Sequence, residues 1–348
     1  YPQSNTFQGV QSLLAQRSLS AQTDQNTGRI DLSSGTSVRR GGKHMRKFLN
    51  TLFVLSEDSY LSLDGETVLV LSGEQKRGQF PLHTLEGILC FSYKGASPAL
   101  MGKCAHEGIN LAFLTPRGRF LARVSGENPG NVLLRKEQYR ISDDESRSCR
   151  YARSFVFGKV YNGRWSIERT RRDHALRVDT EALRRASKTL SDSLPSILAE
   201  TSLDSLRGLE GQAAAVYFGA FDTLLLNQRE TFAFTGRSRR PPLDPLNAML
   251  SFAYSLLSNI CAGALESVGL DAYVGFLHRD RPGRSSLALD LMEELRPLFA
   301  DRFVATLINN RVIQPGHFEQ QPSGAVLLTD EGRKIFLAAW QNLSPIRT

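Results

Sequence analysis

The chain has 348 residues and a formal net charge of +8, with 43 Lys and Arg against 35 Asp and Glu. A hydrophobic content of 41% and a charged content of 22% are typical of a globular protein, so disorder throughout is excluded. No run approaches 18 consecutive apolar residues and no secretion signal is readable. The sequence therefore predicts a cytoplasmic protein without a membrane span. The positive charge favours an anionic partner, most often nucleic acid.

The four cysteines, Cys90, Cys104, Cys149 and Cys261, are widely separated and none belongs to a Cys-x-x-Cys pair. This spacing argues against a zinc knuckle, an iron–sulfur site and a disulfide-stapled secreted fold. We expect reduced thiols that are buried in the core.

Residues 1–44 are rich in Gln, Ser, Thr and Gly and show no sustained hydrophobic period. A segment of this composition buries too little apolar surface to form a core, so we expect a disordered or non-native tail. Met45 begins a strand-like pattern and is the expected native start. The basic residues at 39–47 fit either an added tail or a DNA-binding arm.

The region from 45 to 130 is predicted to be β-rich. Its apolar residues alternate or form short blocks, such as TVLVL at 67–71, and Asp64-Gly65 is a hairpin-turn signal. The segment SPALMGKCAH at 97–106 predicts one short helix, because its serine can cap and its proline suits the first helical position.

Residues 131–348 show the three-and-four spacing of apolar residues that is typical of helices. The predicted helices span 181–198, 203–226, 245–268 and 287–308. Because strands precede the helices and do not alternate with them, the order predicts an α+β fold without a βαβ sheet. A β-rich N-terminal domain would be followed by an all-α C-terminal domain.

Several carboxylates occur where apolar helix faces are expected. Glu210 falls inside an apolar arc of the helix at 203–226. Asp290, Glu293 and Glu294 share one wedge of roughly 100° on the next acidic helix. A buried carboxylate must be protonated, paired with a cation or bound to a metal. For Glu210 alone, a structural Arg–Glu pair explains the pattern equally well.

His278 ends an apolar run just before the acidic helix. One imidazole and carboxylates from two helices form a ligand set for Mn²⁺ or Mg²⁺. The alternative is a structural histidine whose ring nitrogens are hydrogen-bonded within the protein. The nearby arginines are Arg237, Arg239, Arg240, Arg279, Arg281, Arg284 and Arg296. A carboxylate-bound cation flanked by arginines suits chemistry on a DNA phosphodiester. The alternative is that these arginines only form a solvent-exposed basic surface. The residues alone thus predict a metal-dependent phosphodiester enzyme.

Three strings are specific in combination: LEGQAAAVYF at 209–218, GRSRRPPLDPLNAMLSFAYSLL at 236–257 and VGLDAYVGFLHRDRPGRSSLALDLMEELRP at 268–297. Together with EDSYLSLDGETVLVL at 57–71 and PLHTLEGILCF at 81–91, they resemble the CRISPR-associated integrase that is the first of the Cas proteins. The likeness is greatest to its type I-C branch and covers the chain from Met45 onward.

This resemblance implies a β-rich dimerisation domain at 45–130 and a helical catalytic domain at 131–348 with one divalent metal, Mg²⁺ or Mn²⁺, in each subunit. The catalytic residues of the family fall on Glu210, His278, Asp290 and Glu293, of which Glu210, His278 and Glu293 would be the metal ligands. The last position is Glu here and Asp in some relatives. Glu294 has no family counterpart and would lie beside the site or form a salt bridge.

The implied function is spacer acquisition in CRISPR adaptation, an antiviral defence. The 3′-hydroxyl of a captured DNA fragment would attack a phosphodiester of the repeat, and the enzyme would also act as a DNA endonuclease. The implied DNA contacts are Arg237, Arg239, Arg240, Arg279, Arg281 and Arg284.

The implied partners are protospacer and repeat DNA, a second copy of the chain, and the small second Cas protein that bridges two dimers. The fourth-family Cas exonuclease, which is fused to some relatives, is a further candidate partner, although residues 1–44 contain no cysteine for its iron–sulfur site. Two alternatives stay open: a stand-alone structure-selective repair nuclease, and a DNA-binding scaffold that has lost catalysis.

Overall fold

The computed structural model describes residues 51–127 and 132–341. The predictions for residues 1–44, for Met45 and for the basic cluster at 39–47 lie outside the described residues, and so does the predicted domain boundary at 130. Contacts join the described strands and helices in one compact unit, Asn50–Gln341.

Residues 51–127 form seven strands and one α-helix, in agreement with the predicted β-rich N-terminal region. They are β1 (Thr51–Val54), β2 (Ser59–Asp64), β3 (Thr67–Ser72), β4 (Gln75–Pro81), β5 (Gly87–Cys90), α1 (Pro98–Glu107), β6 (Asn110–Leu114) and β7 (Phe120–Arg123). An antiparallel meander contains β2, β3 and β4, and a second sheet has the order β1-β5-β6-β7.

Local sequence signals explain the turns of this region. Asp64 pairs with Thr67 across a two-residue turn, in which Gly65 has the positive φ of 55° that glycine tolerates. Ser97 caps α1 by accepting a hydrogen bond from the backbone N–H of Leu100. The predicted hairpin and helix are both confirmed.

One prediction for this region was wrong. β5 and β6 are parallel and α1 connects them, so they form a βαβ unit inside the β-rich region. Every residue of β5 is buried, as is typical of a parallel strand that is covered on both faces. Such a strand reads as a short apolar run, and the sequence does not show the direction in which it pairs.

The core of the strand region lies between the two sheets and α1. Leu61 and Val68 of the meander, Ile88 and Leu111 of the second sheet, and Leu100 of α1 are all completely buried in one cluster. Burial of apolar side chains of this size stabilises a fold by about 1.5–3 kcal/mol each. Hydrophobic packing therefore joins the two sheets.

The remainder of the described chain is largely helical, which confirms the predicted fold class. The helices are α2 (Val132–Asp143), α3 (Glu145–Asp173), α4 (Thr180–Ala199), α5 (Leu203–Phe221), α6 (Arg229–Phe232), α7 (Pro245–Ser267), α8 (Ser286–Leu295), α9 (Arg302–Asn309) and α10 (Asp330–Gln341). A short hairpin of β8 (Phe318–Gln320) and β9 (Val326–Leu328) lies within this region.

Two predicted helices have different ends in the structure. The helix predicted at 203–226 ends at Phe221, where a 3₁₀ turn follows. The helix predicted at 287–308 is divided into α8 and α9 by a π-helical segment, Arg296–Asp301. Pro297 lies at the start of this segment and has no backbone N–H to continue the α-helical ladder. Apolar periodicity continues through the break, so the pattern alone predicts one helix.

Two long helices organise this region. α7 is apolar and long enough to span a membrane by composition, but 61% of its most apolar window is buried inside the protein, as in a core helix. α3 packs against α4, α5 and α8. Side chains on α5 and α8 that point towards α3 are therefore brought close to one another.

Candidate metal and nucleic-acid site

The two acidic helices meet at a lysine of α3. The ammonium of Lys159 forms an ion pair with Glu210 of α5, and its Nζ also lies 2.7 Å from Oε2 of Glu293 on α8. Both carboxylates were predicted from apolar helix faces, and the structure brings them to one cation. That cation is a side chain of the protein itself.

His278 is held by the third predicted acid. Its Nδ1 lies 2.6 Å from Oδ1 of Asp290, whose side chain is completely buried. Asp290 also accepts hydrogen bonds from the backbone N–H groups of Phe276, Leu277 and His278, at 2.6 to 3.0 Å. These contacts occupy both carboxylate oxygens. Asp290 therefore positions the loop and the imidazole ring, and leaves Nε2 of His278 available.

Glu293 is buried between two cations. Burial opposes its charge, but Arg296 and Lys159 outweigh that effect and lower its pKa from 4.5 to about 2. Nη1 of Arg296 lies 2.9 Å from Oε1 of Glu293, and Nε2 of His278 lies 3.8 Å from the same oxygen. Oε2 of Glu293 lies 2.7 Å from Nζ of Lys159, so each oxygen of this carboxylate faces a cation.

Glu294 has a different environment from its neighbour. Burial raises the pKa of its carboxyl group to about 7. The Glu294 side chain packs against Gly158 of α3, so closely that a Cβ added to Gly158 would lie 3.0 Å from Oε2 of Glu294. The backbone carbonyl of Glu294 accepts a hydrogen bond from the side chain of Asn162. No ion pair of Glu294 occurs among residues 51–127 and 132–341, so the salt bridge considered from the sequence is not seen.

The donor set fits a small divalent cation of the Mg²⁺ or Mn²⁺ class. No three His, Cys, Asp or Glu side chains of the described ranges already meet at metal-ligand distances, and Lys159 lies between the two carboxylates instead. The residues nonetheless offer the ionised carboxylate of Glu293, the carboxylate of Glu210 and the Nε2 of His278. Oxygen donors with one imidazole suit Mn²⁺ or Mg²⁺.

These residues open into a cleft of about 1520 Å³. All six arginines that were predicted to contact DNA line it, together with Glu210, His278 and Glu293. The strand region also contributes to the lining, with Arg119 before β7 and Phe120 at its start. The cleft is therefore lined by cations from both regions of the chain.

The predicted arginines differ in how firmly they are held. Arg237 is half-buried, donates hydrogen bonds to Asn247 and to the carbonyl of Ser238, and lies over the ring of Tyr254. Arg279 is exposed and lies 2.9 Å from the carboxylate of Asp204. Arg237 thus has a structural role as well as a place in the cleft, whereas Arg279 lies at its rim.

Lys159 was not recognised from the sequence, although the signal was present. It lies on the same side of α3 as the buried Ala152, Val156 and Gly163. A lone lysine on an apolar helix face requires a carboxylate partner, for the reason that was applied to Glu210. The strand-region residues Arg119 and Phe120 gave no comparable signal, because only the fold brings their turn to the cleft.

Comparison with known proteins identifies the family. The profile of the family described as CRISPR associated protein Cas1 matches residues 52–342. The chain belongs to this family. A CRISPR-associated endonuclease Cas1 of Rhodospirillum rubrum is 49% identical over 304 residues, which cover 85% of this chain and 87% of that protein. A CRISPR-associated endonuclease Cas1 of Chlorobaculum tepidum is 45% identical over 297 residues, with the same coverage.

Solved structures show the same Cas1 fold. A casposase bound to its integration product aligns with a TM-score of 0.70 and 23% identity, over 84% of this chain and 82% of that chain. A chain of a Cas6-RT-Cas1–Cas2 complex aligns with a TM-score of 0.68 and 23% identity, over 88% of this chain and 33% of that chain. The α+β architecture of the strand and helix regions is thus that of Cas1 proteins.

Proposed function

We propose that this Cas1 protein is a divalent-metal-dependent DNA endonuclease and integrase that acts in spacer acquisition, in the cytoplasm of a prokaryote. The observation that carries the proposal is the convergence of Glu210 and Glu293 on one cation beside His278, in a cleft lined by arginines. The endonuclease names of the two relatives and the integration product bound to the casposase support this chemistry.

The reaction is a transesterification. The 3′-oxygen of the captured strand forms a new bond to phosphorus as the bond from phosphorus to the 3′-oxygen of the repeat strand breaks. The proton of the attacking hydroxyl is lost and the leaving oxygen gains one. One phosphodiester replaces another, so neither ATP nor a covalent enzyme intermediate is needed.

Glu210, Glu293 and His278 would hold the Mg²⁺ or Mn²⁺. When bound, the cation supplies Lewis-acid activation of the hydroxyl and neutralises charge on the phosphate. Asp290 fixes the ring of His278 so that Nε2 faces the cleft, and Arg296 fixes the carboxylate of Glu293. Such preorganised groups need little rearrangement during the reaction.

The arginines at the rim would hold the phosphates on either side of the attacked bond. Arg279, Arg281 and Arg284 follow His278 directly, so phosphates bound there lie beside the catalytic residues. Fixed phosphates keep the attacking and leaving oxygens in line, which lowers the entropic part of the barrier. Lys159 would neutralise Glu210 and Glu293 when no metal is bound.

The proposed assembly is a homodimer that binds DNA and the small second Cas protein. β4 lies at the edge of its sheet and six of its seven residues are exposed, and unpaired sheet edges tend to pair with another chain. A sedimentation mass of twice 38.7 kDa would support the dimer. The Cas1–Cas2 complex among the structural neighbours supports the second partner. A fourth-family Cas exonuclease and membership of the type I-C branch are further proposals, which rest on the sequence resemblance alone.

A strand-transfer and nicking assay on branched DNA tests the proposed function. The wild type should act only with Mg²⁺ or Mn²⁺, and Glu210→Gln should lose at least about 100-fold in rate, because a neutral amide is a poor ligand. The control is Glu181→Gln, which removes an exposed acid that pairs with Arg184 on α4. DNA affinity should be unchanged in both variants.

The same assay separates the alternatives. Strand transfer that requires the small second Cas protein supports spacer acquisition. Metal-dependent nicking without any strand transfer would instead favour a stand-alone repair nuclease. DNA binding without any metal-dependent cleavage would show a silent scaffold, and the proposed function would be wrong.

A further inference from the structure

A stripe of aromatic side chains runs along the outer face of α3. Phe157, Tyr161 and Trp165 follow at intervals of four residues, and their ring centroids are 5.9 Å and 6.1 Å apart. Residues at this spacing lie on one side of a helix and rise by about 6 Å at each step. Trp165 is 41% exposed, and the other two rings are half-buried. We call these three residues the aromatic stripe.

The aromatic stripe is separate from the catalytic cleft. Lys159, which contacts Glu210 and Glu293, precedes Tyr161 by two residues and therefore lies about 160° away around the helix axis. None of the three aromatic residues lines the cleft. A ligand on this face would contact α3 on the side opposite to the catalytic residues.

Positive charge surrounds the exposed end of the stripe. The guanidinium of Arg164 lies 5.1 Å from the centre of the Trp165 ring. One turn further along, Arg169 and Arg172 share the single carboxylate of Asp173, at 3.4 Å and 2.9 Å.

Arg302, at the start of α9, adds a further cation beside Arg169. It has no acid partner within residues 51–127 and 132–341, and burial together with nearby Arg169 lowers its pKa. Two like charges that are drawn close without an acid between them are costly unless an anion joins them. At the end of the aromatic stripe, Arg169 and Arg172 thus share one carboxylate, and Arg302 beside Arg169 has none.

Aromatic rings next to an excess of arginines over acids fit single-stranded nucleic acid. Each base offers a flat face that can stack on a ring, and each phosphate offers a negative charge to a guanidinium. Duplex DNA does not suit this surface, because its bases are already stacked on one another. A protein partner would need an apolar face to cover the rings and acids to meet the arginines.

We propose that the aromatic stripe, with Arg169, Arg172 and Arg302, forms a second DNA-binding surface that takes single-stranded DNA. Bases stack on Trp165 and Tyr161, and phosphates contact the arginines. The surface needs no metal, so its binding is separable from the cleavage proposed above. It would hold an unpaired strand on the far side of α3 while the cleft acts on a phosphodiester.

The two tryptophans of the chain provide a reporter for this surface. Trp165 is exposed, whereas Trp340 is buried to 1% exposure. We expect an oligothymidylate of about 12 nucleotides, added without metal, to quench the tryptophan fluorescence of the full chain by stacking. A blunt duplex should quench much less. Trp165→Phe should abolish the quenching and so assign the signal to this ring.

Tyr161→Ala measures the contribution of the stripe with the reporter still in place. Stacking is worth about 1–3 kcal/mol per base, so the quenching midpoint should move to about 5- to 150-fold higher oligothymidylate concentration. Tyr161→Phe retains the ring and should restore most of the affinity. Thermal unfolding of each variant confirms that it is folded.

Arg302→Gln tests the charged part of the surface. Loss of one phosphate contact should reduce the slope of log affinity against log salt by about 0.7, the value for single strands. Arg184→Gln, which removes an exposed arginine of α4, is the matched control and should leave the slope unchanged.

Two results would overturn the proposal. The first is the absence of Trp165 quenching by oligothymidylate, and the second is a Tyr161→Ala titration that coincides with the wild type. If Trp165→Ala changes the sedimentation mass while oligothymidylate quenching of the wild type is absent, the face is a protein interface and the proposal is wrong. Glu210→Gln should retain full quenching, so failure of the catalytic proposal would be recognised separately.

Discussion

The strand region and the helix region bury different kinds of polar group. In residues 51–127 the fully buried polar side chains are those of Ser59, Ser92 and Thr115, which are all hydroxyls. In residues 132–341 they include the carboxylates of Asp290, Glu293 and Asp301. A buried hydroxyl needs one hydrogen-bond partner, whereas a buried carboxylate needs several donors or a cation. The buried carboxylates, which are costly to desolvate, are therefore found in the region that contains the proposed catalytic residues.

Each buried carboxylate is compensated in its own way. Asp290 has three backbone N–H donors and an imidazole, and Glu293 has Arg296 and Lys159. Asp301 has Tyr254, whose hydroxyl lies 2.5 Å from Oδ1, and burial raises its pKa to about 6. Loss of any of these partners should therefore lower the free energy of unfolding of the helix region.

Removing the most highly coordinated carboxylate should give the largest effect. Asp290→Ala leaves three backbone N–H groups and the imidazole of His278 without their acceptor. We expect the free energy of unfolding to fall by about 3–5 kcal/mol, the range for a broken buried charged network. Urea denaturation of the two proteins measures this difference.

Leu61→Ala in the strand region is the matched comparison. It removes a completely buried side chain and should cost about 2–5 kcal/mol of stability. Its strand-transfer rate per folded molecule should equal that of the wild type, whereas Asp290→Ala should lose activity even when folded. Equal activity losses in both variants would contradict the division between the two regions.

Glu294 should reveal the cost of a buried carboxylate without a cation. Burial raises its pKa from 4.5 to about 7, so the folded state binds this proton more tightly than the unfolded state. Stability is therefore highest at low pH and falls as the pH rises from 4.5 to 7. Glu294→Gln should be more stable than the wild type by about 3 kcal/mol at pH 8, and no more stable at pH 4. Urea unfolding at both pH values measures the effect, and a gain at pH 4 of the same size would contradict it.

The rim of the cleft should give the smallest effect on stability. Arg279 is exposed and pairs with the equally exposed Asp204, and such a pair contributes less than about 1 kcal/mol. Arg279→Gln should leave urea unfolding nearly unchanged. It should still reduce the slope of log duplex affinity against log salt by about 0.9, because one phosphate contact is lost. A salt slope equal to that of the wild type would place Arg279 outside the DNA path.

The sequence predicted the acids of the site because they break a helical pattern. Glu210 and Glu293 interrupt apolar faces, and in the structure both carboxylates are paired with Lys159. His278 was recognised by its place at the end of an apolar run. The same reasoning applies to Lys159, a charged residue on an apolar face of α3, so it could have been predicted in the same way.

Other features depend on contacts that no local pattern records. Asp290 is predicted to be catalytic, and its hydrogen bonds from the backbone of residues 276–278, which only the folded loop shows, also make it a positioning residue. The parallel pairing of β5 with β6 and the break between α8 and α9 depend on tertiary packing. Arg119 reaches the cleft through a turn that is distant in sequence.

Titration calorimetry with Mn²⁺ tests the central claim that Glu210, His278 and Glu293 hold a divalent cation whose place Lys159 takes in its absence. The wild type and the exposed control Glu181→Gln should bind one Mn²⁺ per chain. Glu293→Gln should weaken binding by at least about tenfold, and Lys159→Met should strengthen it because the competing ammonium is gone. Mn²⁺ binding that is equal in the wild type and in Glu293→Gln, or no binding to the wild type, would contradict the account.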